Sequence, residues 1–257
     1  MSNTLNIAIV QTALHWEQPQ KNRDHIAAVL KSLKAEVDLV LLPEMFTTGF
    51  TMHPENIEEA EGEKTLDWMR KMAIEKQIAI SGSIVYSENG NYYNRLFFVE
   101  PNKVSVYDKR HTFTLAGESK VYTAGTSKAL INFKGFKLCP FICYDLRFPV
   151  WSRNVEQYDV LFYLANWPKP RINAWDALLK ARAIENMAYC IGVNRTGFDF
   201  LGHEYPGHSA VYDALGEELV FSDTPGISYA TLSKDHIDTT RKKLKFLEDQ
   251  DTFSLEV

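Results

Sequence analysis

The chain has 257 residues, 45% of them hydrophobic and 24% charged, with a net charge of −5. That profile fits a globular protein able to bury roughly three quarters of its unfolded surface without disulfide or metal support. It argues against nucleic-acid partners, because the densest basic stretch, "TTRKKLK" from Thr239 to Lys245, reads as a solvated face. No apolar run approaches the roughly 18 residues of a membrane span.

The chain has three cysteines, Cys139, Cys143 and Cys190, without CxxC or Cys/His ligand spacing. An odd, small number points to free thiols in a reducing compartment and to no structural zinc. The stretch "MSNTLNIAIVQT" lacks a basic region before a long apolar segment. It reads as a first strand, not a signal peptide, and the expected location is the cytoplasm.

Apolar runs of strand length alternate with amphipathic segments. "NIAIVQT" is a buried strand, and "NRDHIAAVLKSLK" places Ile26, Val29, Leu30 and Leu33 at helical spacing. "DLVLLPE" is a second buried strand. The helix "EKTLDWMRKMAIEKQ" carries Leu66, Met69, Met72 and Ala73 on one face. "IAISGSIVY", "YYNRLFFVE" and "KVSVYDK" read as strands joined by the turns "SENGN" and "PNK".

A second half repeats this style. "KALINF" and "FKLCPFIC" are strands around Lys134–Gly135, and "PVWSRNVEQ" is a short helix opened by Pro149. "DVLFYLAN" is a strand and "NAWDALLKARAIENMAY" a helix. "CIGVNRTG", "GHSAVYD", "LVFS" and "ISYATLS" are strands, and "KDHIDTTRKKL" is the last helix. No linker or composition break appears, so one domain over residues 1–257 is the simplest division. Near-continuous Val/Ile/Leu strands require cover on both faces. The pattern predicts an α/β layered sandwich with large mixed sheets, since the alternation is too irregular for a barrel.

In α/β folds chemistry collects where strands end. Glu44 follows an apolar run in "DLVLLPEMFTTGF", as a partly desolvated general base or as a turn residue. Lys109 ends the strand in "VSVYDKRHTF", as a site residue or a surface charge. Cys143 stands in "FICYDLRFP" where a strand turns sharply, as a nucleophile or a buried small hydrophobe. A thiol needs a base. His111, His203 and His208 are the histidines within reach of that role, but none sits in a partner motif, whereas Glu44 can deprotonate the thiol and Lys109 can steady the charge. A redox pair with Cys139 is disfavoured, since four residues of strand separate the two by roughly 13 Å.

"LLPEMFTTGF", "YDKRHTF" and "FICYDLRFP" resemble the three signature segments of the carbon–nitrogen hydrolase (nitrilase) superfamily, in the order Glu, Lys, Cys. "CYDLRFPVWSRN", "ANWP" and "ARAIENMAYCIGVNRTG" are similar to its bacterial omega-amidase branch. The resemblance implies a four-layer α-β-β-α sandwich that forms a homodimer or higher homo-oligomer, and an enzyme needing neither metal nor cofactor. Its substrates would be water and a small amide, such as 2-oxoglutaramate or 2-oxosuccinamate. Glu44 would be the base, Cys143 the nucleophile, and Lys109 with the Tyr144 N–H the oxyanion site. Glu118 in "TLAGESK" reads as a loop residue of a Gly-bearing turn or, as the resemblance implies, as the second acid of the family, which would orient Lys109 or the substrate amide.

A substrate carboxylate needs a cation. Arg147, Lys169, Arg171 and Arg195 are candidates, although Arg147 also reads as a scaffold partner of Asp145 or Glu185. Phe46, Phe113, Tyr144 and Trp167 are the expected aromatics of the mouth, and Trp167 reads equally as part of a dimer seam. The same triad serves nitriles, N-carbamoyl compounds and aliphatic amides. A non-catalytic binding member would show decay of the triad, which here is intact.

Overall fold

The computed structural model of this protein describes residues 3–256. The strands are β1 (Thr4–Gln11), β2 (Leu39–Leu41), β3 (Ala79–Glu88), β4 (Asn91–Glu100), β5 (Lys103–Asp108), β6 (Ile131–Phe133) and β7 (Phe136–Ile142). They continue with β8 (Val160–Ala165), β9 (Tyr189–Asn194), β10 (Thr196–Phe198), β11 (Glu204–Pro206), β12 (Ser209–Tyr212), β13 (Glu218–Ser222) and β14 (Gly226–Ser233). One six-stranded sheet runs β14-β1-β2-β3-β4-β5 and a second runs β6-β7-β8-β9-β12-β13, while β10 and β11 form a separate hairpin. Read in those orders, the two large sheets have the same pairing sequence. It is antiparallel, then parallel twice, then antiparallel twice.

The helices supply the crossovers that parallel pairing requires. Helices α1 (Pro19–Val29) and α2 (Glu61–Lys76) join β1, β2 and β3, while α3 (Pro149–Ser152) and α4 (Ile172–Asn186) join β7, β8 and β9. A last helix, α5 (Lys234–Leu244), follows β14. The period-2 alternation of strands builds the layers. Leu5, Ile7 and Ile9 of β1 join the core that reaches the second sheet, while Ala8 and Val10 pack with Ile26, Leu66 and Met69 under α1 and α2. Across the second sheet, Trp175, Leu179 and Ala183 of α4 cover β9. Gly192 permits that approach, because a Cβ there would lie 2.3 Å from Leu179 Cδ1. The result is the α-β-β-α sandwich.

Sequence and structure differ at several ends. The helix expected over "PVWSRNVEQ" stops at Ser152, and Arg153 turns to extended backbone at ψ 133°. The Asn154 side chain holds the backbone of Tyr158 and Asn186 instead of extending the helix. The first helix begins earlier than expected, at Pro19, whose fixed φ suits a helix start. Strand β11 and the hairpin it forms were not legible as an apolar run. "SENGN" does form a tight turn, with Asn89 and Gly90 at φ 52° and 76°.

Candidate active site

The two central parallel strands, β2 and β8, end at the same place. Glu44 follows β2 and Asn166 follows β8, and both are buried. The Asn166 N–H donates to Glu44 Oε2 at 2.8 Å, and its side-chain amide donates to the Glu44 carbonyl at 2.6 Å. A contact between residues so distant in sequence thus fixes the carboxylate. Asn94, buried in β4, donates to Glu44 Oε1 at 2.8 Å and to Glu118 Oε1 at 3.2 Å. Ser83 donates to the Asn94 carbonyl oxygen at 2.9 Å, which sets the amide's orientation.

Lys109, just beyond β5, is buried with Nζ 2.9 Å from Glu44 Oε1 and 3.0 and 2.9 Å from the two oxygens of Glu118. Glu118, also buried, accepts the Phe113 N–H at 2.5 Å. One ammonium therefore lies between two carboxylates, all three buried. Burial would push the lysine down, but Glu118, Glu44 and Cys143 outweigh it and hold the lysine above its usual range. Burial also lifts the Glu118 carboxyl above its usual value; Glu44 adds to that and Lys109 opposes it.

Cys143 opens a 3-10 turn, Cys143–Arg147, directly after β7. Its φ of 44° is left-handed, a conformation that costs a residue with a Cβ energy unless the surroundings impose it. Asp145 imposes it. Its buried carboxylate accepts the Ile142 N–H at 3.0 Å, the Tyr107 hydroxyl at 2.7 Å and the His111 N–H at 2.9 Å. Nδ1 of His111 also meets Asp145, and the His111 ring stacks on Phe148 at 3.7 Å. His111 is thus part of the scaffold under the turn. Burial pushes the Cys143 thiol well above its ordinary range, Glu44 adds to this, and Lys109 offsets part of it. Burial therefore favours the thiol over the thiolate at this sulfur. The Tyr144 N–H lies in the first turn, where backbone donors have no acceptor within the helix.

Cys143 forms part of the wall of a cavity of about 330 Å³, together with Phe113, Tyr144, Arg147, Trp167 and Arg171. Glu44, Lys109 and Glu118 are packed behind it. Of the cations considered from sequence, Arg147 and Arg171 reach the cavity. Arg147 does not pair with Asp145 or Glu185. Glu185 pairs with Arg182, and Asp145 is taken by His111 and Tyr107. Lys169 pairs with Glu204. Arg195 is buried and donates to the carbonyls of Thr196, Leu14 and Phe198. Phe46 is not at the mouth: it packs against Trp68 in the layer beneath α1 and α2. Trp167 lines the cavity and tilts against Trp175 at 5.4 Å.

Sequence reasoning missed Asn94 and Asn166 as site residues. The signal available for both was an amide side chain within or at the end of a strand otherwise apolar. His203 and His208 pair with Asp199 and Asp176, respectively. Among the described residues, no cluster of His, Cys, Asp and Glu is arranged to hold a metal ion, and no helix is long and apolar enough to cross a membrane.

A carbon-nitrogen hydrolase family model matches residues 6–242. The chain is 40% identical over 257 residues to the omega-amidase YafV of Yersinia enterocolitica, covering 98% of this chain and 99% of that one. It is 31% identical to a 2-oxoglutaramate amidase of Bacillus subtilis, over 83% of this chain and 84% of that one. Among solved structures, a carbon-nitrogen hydrolase superfamily protein of Xanthomonas campestris with an arsenic adduct in its active site superposes with a TM-score of 0.92. The identity is 37% and both chains are covered at 100%. From its first strand to its last helix, this chain belongs to the carbon-nitrogen hydrolase family.

Proposed function

We propose that the protein hydrolyses the terminal amide of small 2-oxo dicarboxylic acid monoamides, 2-oxoglutaramate and 2-oxosuccinamate, to the acid and ammonia. The observation that carries this reading is the buried Glu44–Lys109–Glu118 cluster lying behind a thiol that opens into a cavity lined by the Arg147 and Arg171 guanidiniums. The near full-length likeness to proteins named omega-amidase supports the choice of substrate.

In the proposed reaction, Glu44 accepts the Cys143 proton as the sulfur attacks the amide carbon. The raised thiol suits this order, because the proton moves only when a carbonyl is present to take the electron pair. The tetrahedral oxyanion is steadied by the Lys109 charge and the Tyr144 N–H. Glu44 returns the proton to the leaving nitrogen, and ammonia departs to leave a thioester. Water then gives a proton to Glu44 and attacks the thioester carbon; the acid leaves and the thiol is restored. Glu118 orients Lys109, Phe113 and Trp167 wall the substrate, and Arg147 faces its carboxylate. Each step uses side chains, one backbone N–H and water.

We further propose one domain over the chain, a homodimer or larger homo-oligomer, and a cytoplasmic location. Replacing Cys143 by Ala is expected to abolish ammonia release from 2-oxoglutaramate while the circular dichroism spectrum stays that of the parent. Retained turnover would remove the nucleophile from this reading. A coupled ammonia assay across 2-oxo monoamides, glutamine, aliphatic amides, nitriles and N-carbamoyl amino acids tests the substrate. The 2-oxo monoamides are expected among the best, and their absence from that group would leave a hydrolase of another specificity.

A further inference from the structure

Four cations stood near the site in sequence, and the structure sorts them by what already holds them. Lys169 meets both oxygens of Glu204 at 2.8 and 2.7 Å. Arg195 is buried against backbone carbonyls. Arg147 and Arg171 both line the cavity, and among the described residues neither guanidinium forms an ion pair or donates a hydrogen bond. Each lies over an aromatic ring instead. Arg147 is 5.0 Å from the centre of Trp167, and Arg171 is 5.0 Å from the centre of Phe113.

We propose that Arg171 and Arg147 act as one two-guanidinium site for the carboxylate at the far end of the substrate, with Trp167 as the strut that spaces them. This rests on the amide-hydrolase reading of the cavity. Two like charges in one largely apolar cavity repel, and an entering carboxylate relieves that repulsion while meeting rigid donor forks. The cavity's own carboxylate cannot serve. Asp199 is taken by the N–H groups of Leu201 and His203, the His203 ring and the Tyr205 hydroxyl.

The strut is built from both sides. The Trp167 ring lies beneath the Arg147 guanidinium, while its Nε1 donates to the Arg171 carbonyl at 2.8 Å. Asn194 accepts the Trp167 N–H at 2.8 Å and anchors the residue to β9. On the other side, the Phe113 ring carries Arg171, and the Phe113 N–H is held by Glu118, which also holds Lys109. A continuous set of contacts therefore runs from Lys109 to both guanidiniums. It fixes the distance between the thiol and the carboxylate site, so the pair selects both for negative charge and for chain length. A 2-oxo group beside the carboxylate adds a third in-plane acceptor for the two forks.

The test separates binding from turnover. In a Cys143→Ala background, 2-oxoglutarate binding is measured by calorimetry with and without Arg171→Met. Affinity is expected to fall about 10- to 100-fold, the worth of a charge-assisted hydrogen-bonded pair. Arg171→Lys keeps the charge without the fork and is expected to fall between. In the Cys143 protein, the ratio of kcat/KM for 2-oxoglutaramate over pentanamide is expected to drop by a similar factor, through KM. Unchanged 2-oxoglutarate affinity in Arg171→Met overturns the proposal, as does an equal loss on both amides, which would mark collapse of the wall. If 2-oxoglutaramate is not turned over while 2-oxoglutarate binding still depends on Arg171, the two-guanidinium site stands and the assigned substrate falls.

Discussion

The floor and the wall of the cavity treat charge in opposite ways. Behind Cys143, every charge is matched: Lys109 lies between Glu44 and Glu118, and Asn94 and Asn166 complete the carboxylates' hydrogen bonds. On the wall, Arg147 and Arg171 rest on aromatic rings with no ionic partner among the described residues. The floor is finished before any substrate arrives, as groups that must stabilise a transition state should be. The wall is left open, as groups that must gain a ligand should be. The job of a buried charge can be read from whether the fold has already satisfied it.

Unmatching the floor is expected to have the largest effect. Lys109→Met removes the cation between two buried carboxylates. It is expected to cost about 3–5 kcal/mol of stability, the usual penalty for leaving buried charge uncompensated. Chemical denaturation at neutral pH reads this. The same variant is expected to lower kcat/KM by about 10³-fold or more, since the oxyanion loses its charged partner. Undiminished stability would mean that the carboxyls neutralise each other by sharing protons, and that the matched floor is not a structural requirement.

Glu118→Gln probes the same floor more gently. Its shape is kept and one negative charge is lost, with an expected fall in kcat of about 10²-fold. The acid limb of the pH profile sharpens the point. Burial raises the Glu118 carboxyl, so in the folded protein it takes up its proton at a pH above 4.5. Its ionised form is therefore disfavoured by folding. The contribution of this group to stability is unfavourable at neutral pH and is relieved as pH falls through the raised value. Activity is expected to decline on acidification with a midpoint above 4.5, and Glu118→Gln should lose that limb while keeping residual turnover. A limb unchanged in the variant would assign it to another group.

The parts of the molecule that could be read in the sequence are those written locally. The apolar runs of β1, β3, β4, β7, β8 and β9 announced themselves, and α5 follows the segment expected for it, Lys234–Leu244. Its N-cap Ser233 accepts the His236 N–H, a start signal visible in the sequence. Glu44, Lys109 and Cys143 each stand at a strand end, but singly each left two readings open, and only the three matched segments in order drew them together. What escaped depends on tertiary neighbours. Asn166 serves Glu44 from the other sheet, 122 residues away in sequence, and only an amide at the end of an apolar strand marks it. Arg195 looks like Arg147 in the sequence, yet one is sealed against carbonyls and the other is open to the cavity. Phe46 sits two residues from Glu44 and turns the opposite way, since Met45 takes a left-handed φ of 43° between them.

The smallest expected effect tests the strut. Trp167→Phe keeps an aromatic face under Arg147 but removes the Nε1–H that bonds the Arg171 carbonyl at 2.8 Å. A single neutral hydrogen bond is worth about 1 kcal/mol, so the expected change is roughly a fivefold rise in KM for 2-oxoglutaramate. The kcat should hold within about twofold, because Lys109, Glu44 and Cys143 are untouched by that bond. The direction matters more than the size. If the wall reads the carboxylate and the floor does the chemistry, loosening the wall must appear in KM and must be larger for 2-oxoglutaramate than for pentanamide. A matching fall in kcat on both substrates would show that Trp167 positions the thiol turn as well. The floor and the wall would then be one mechanical unit instead of two regions with separate tasks.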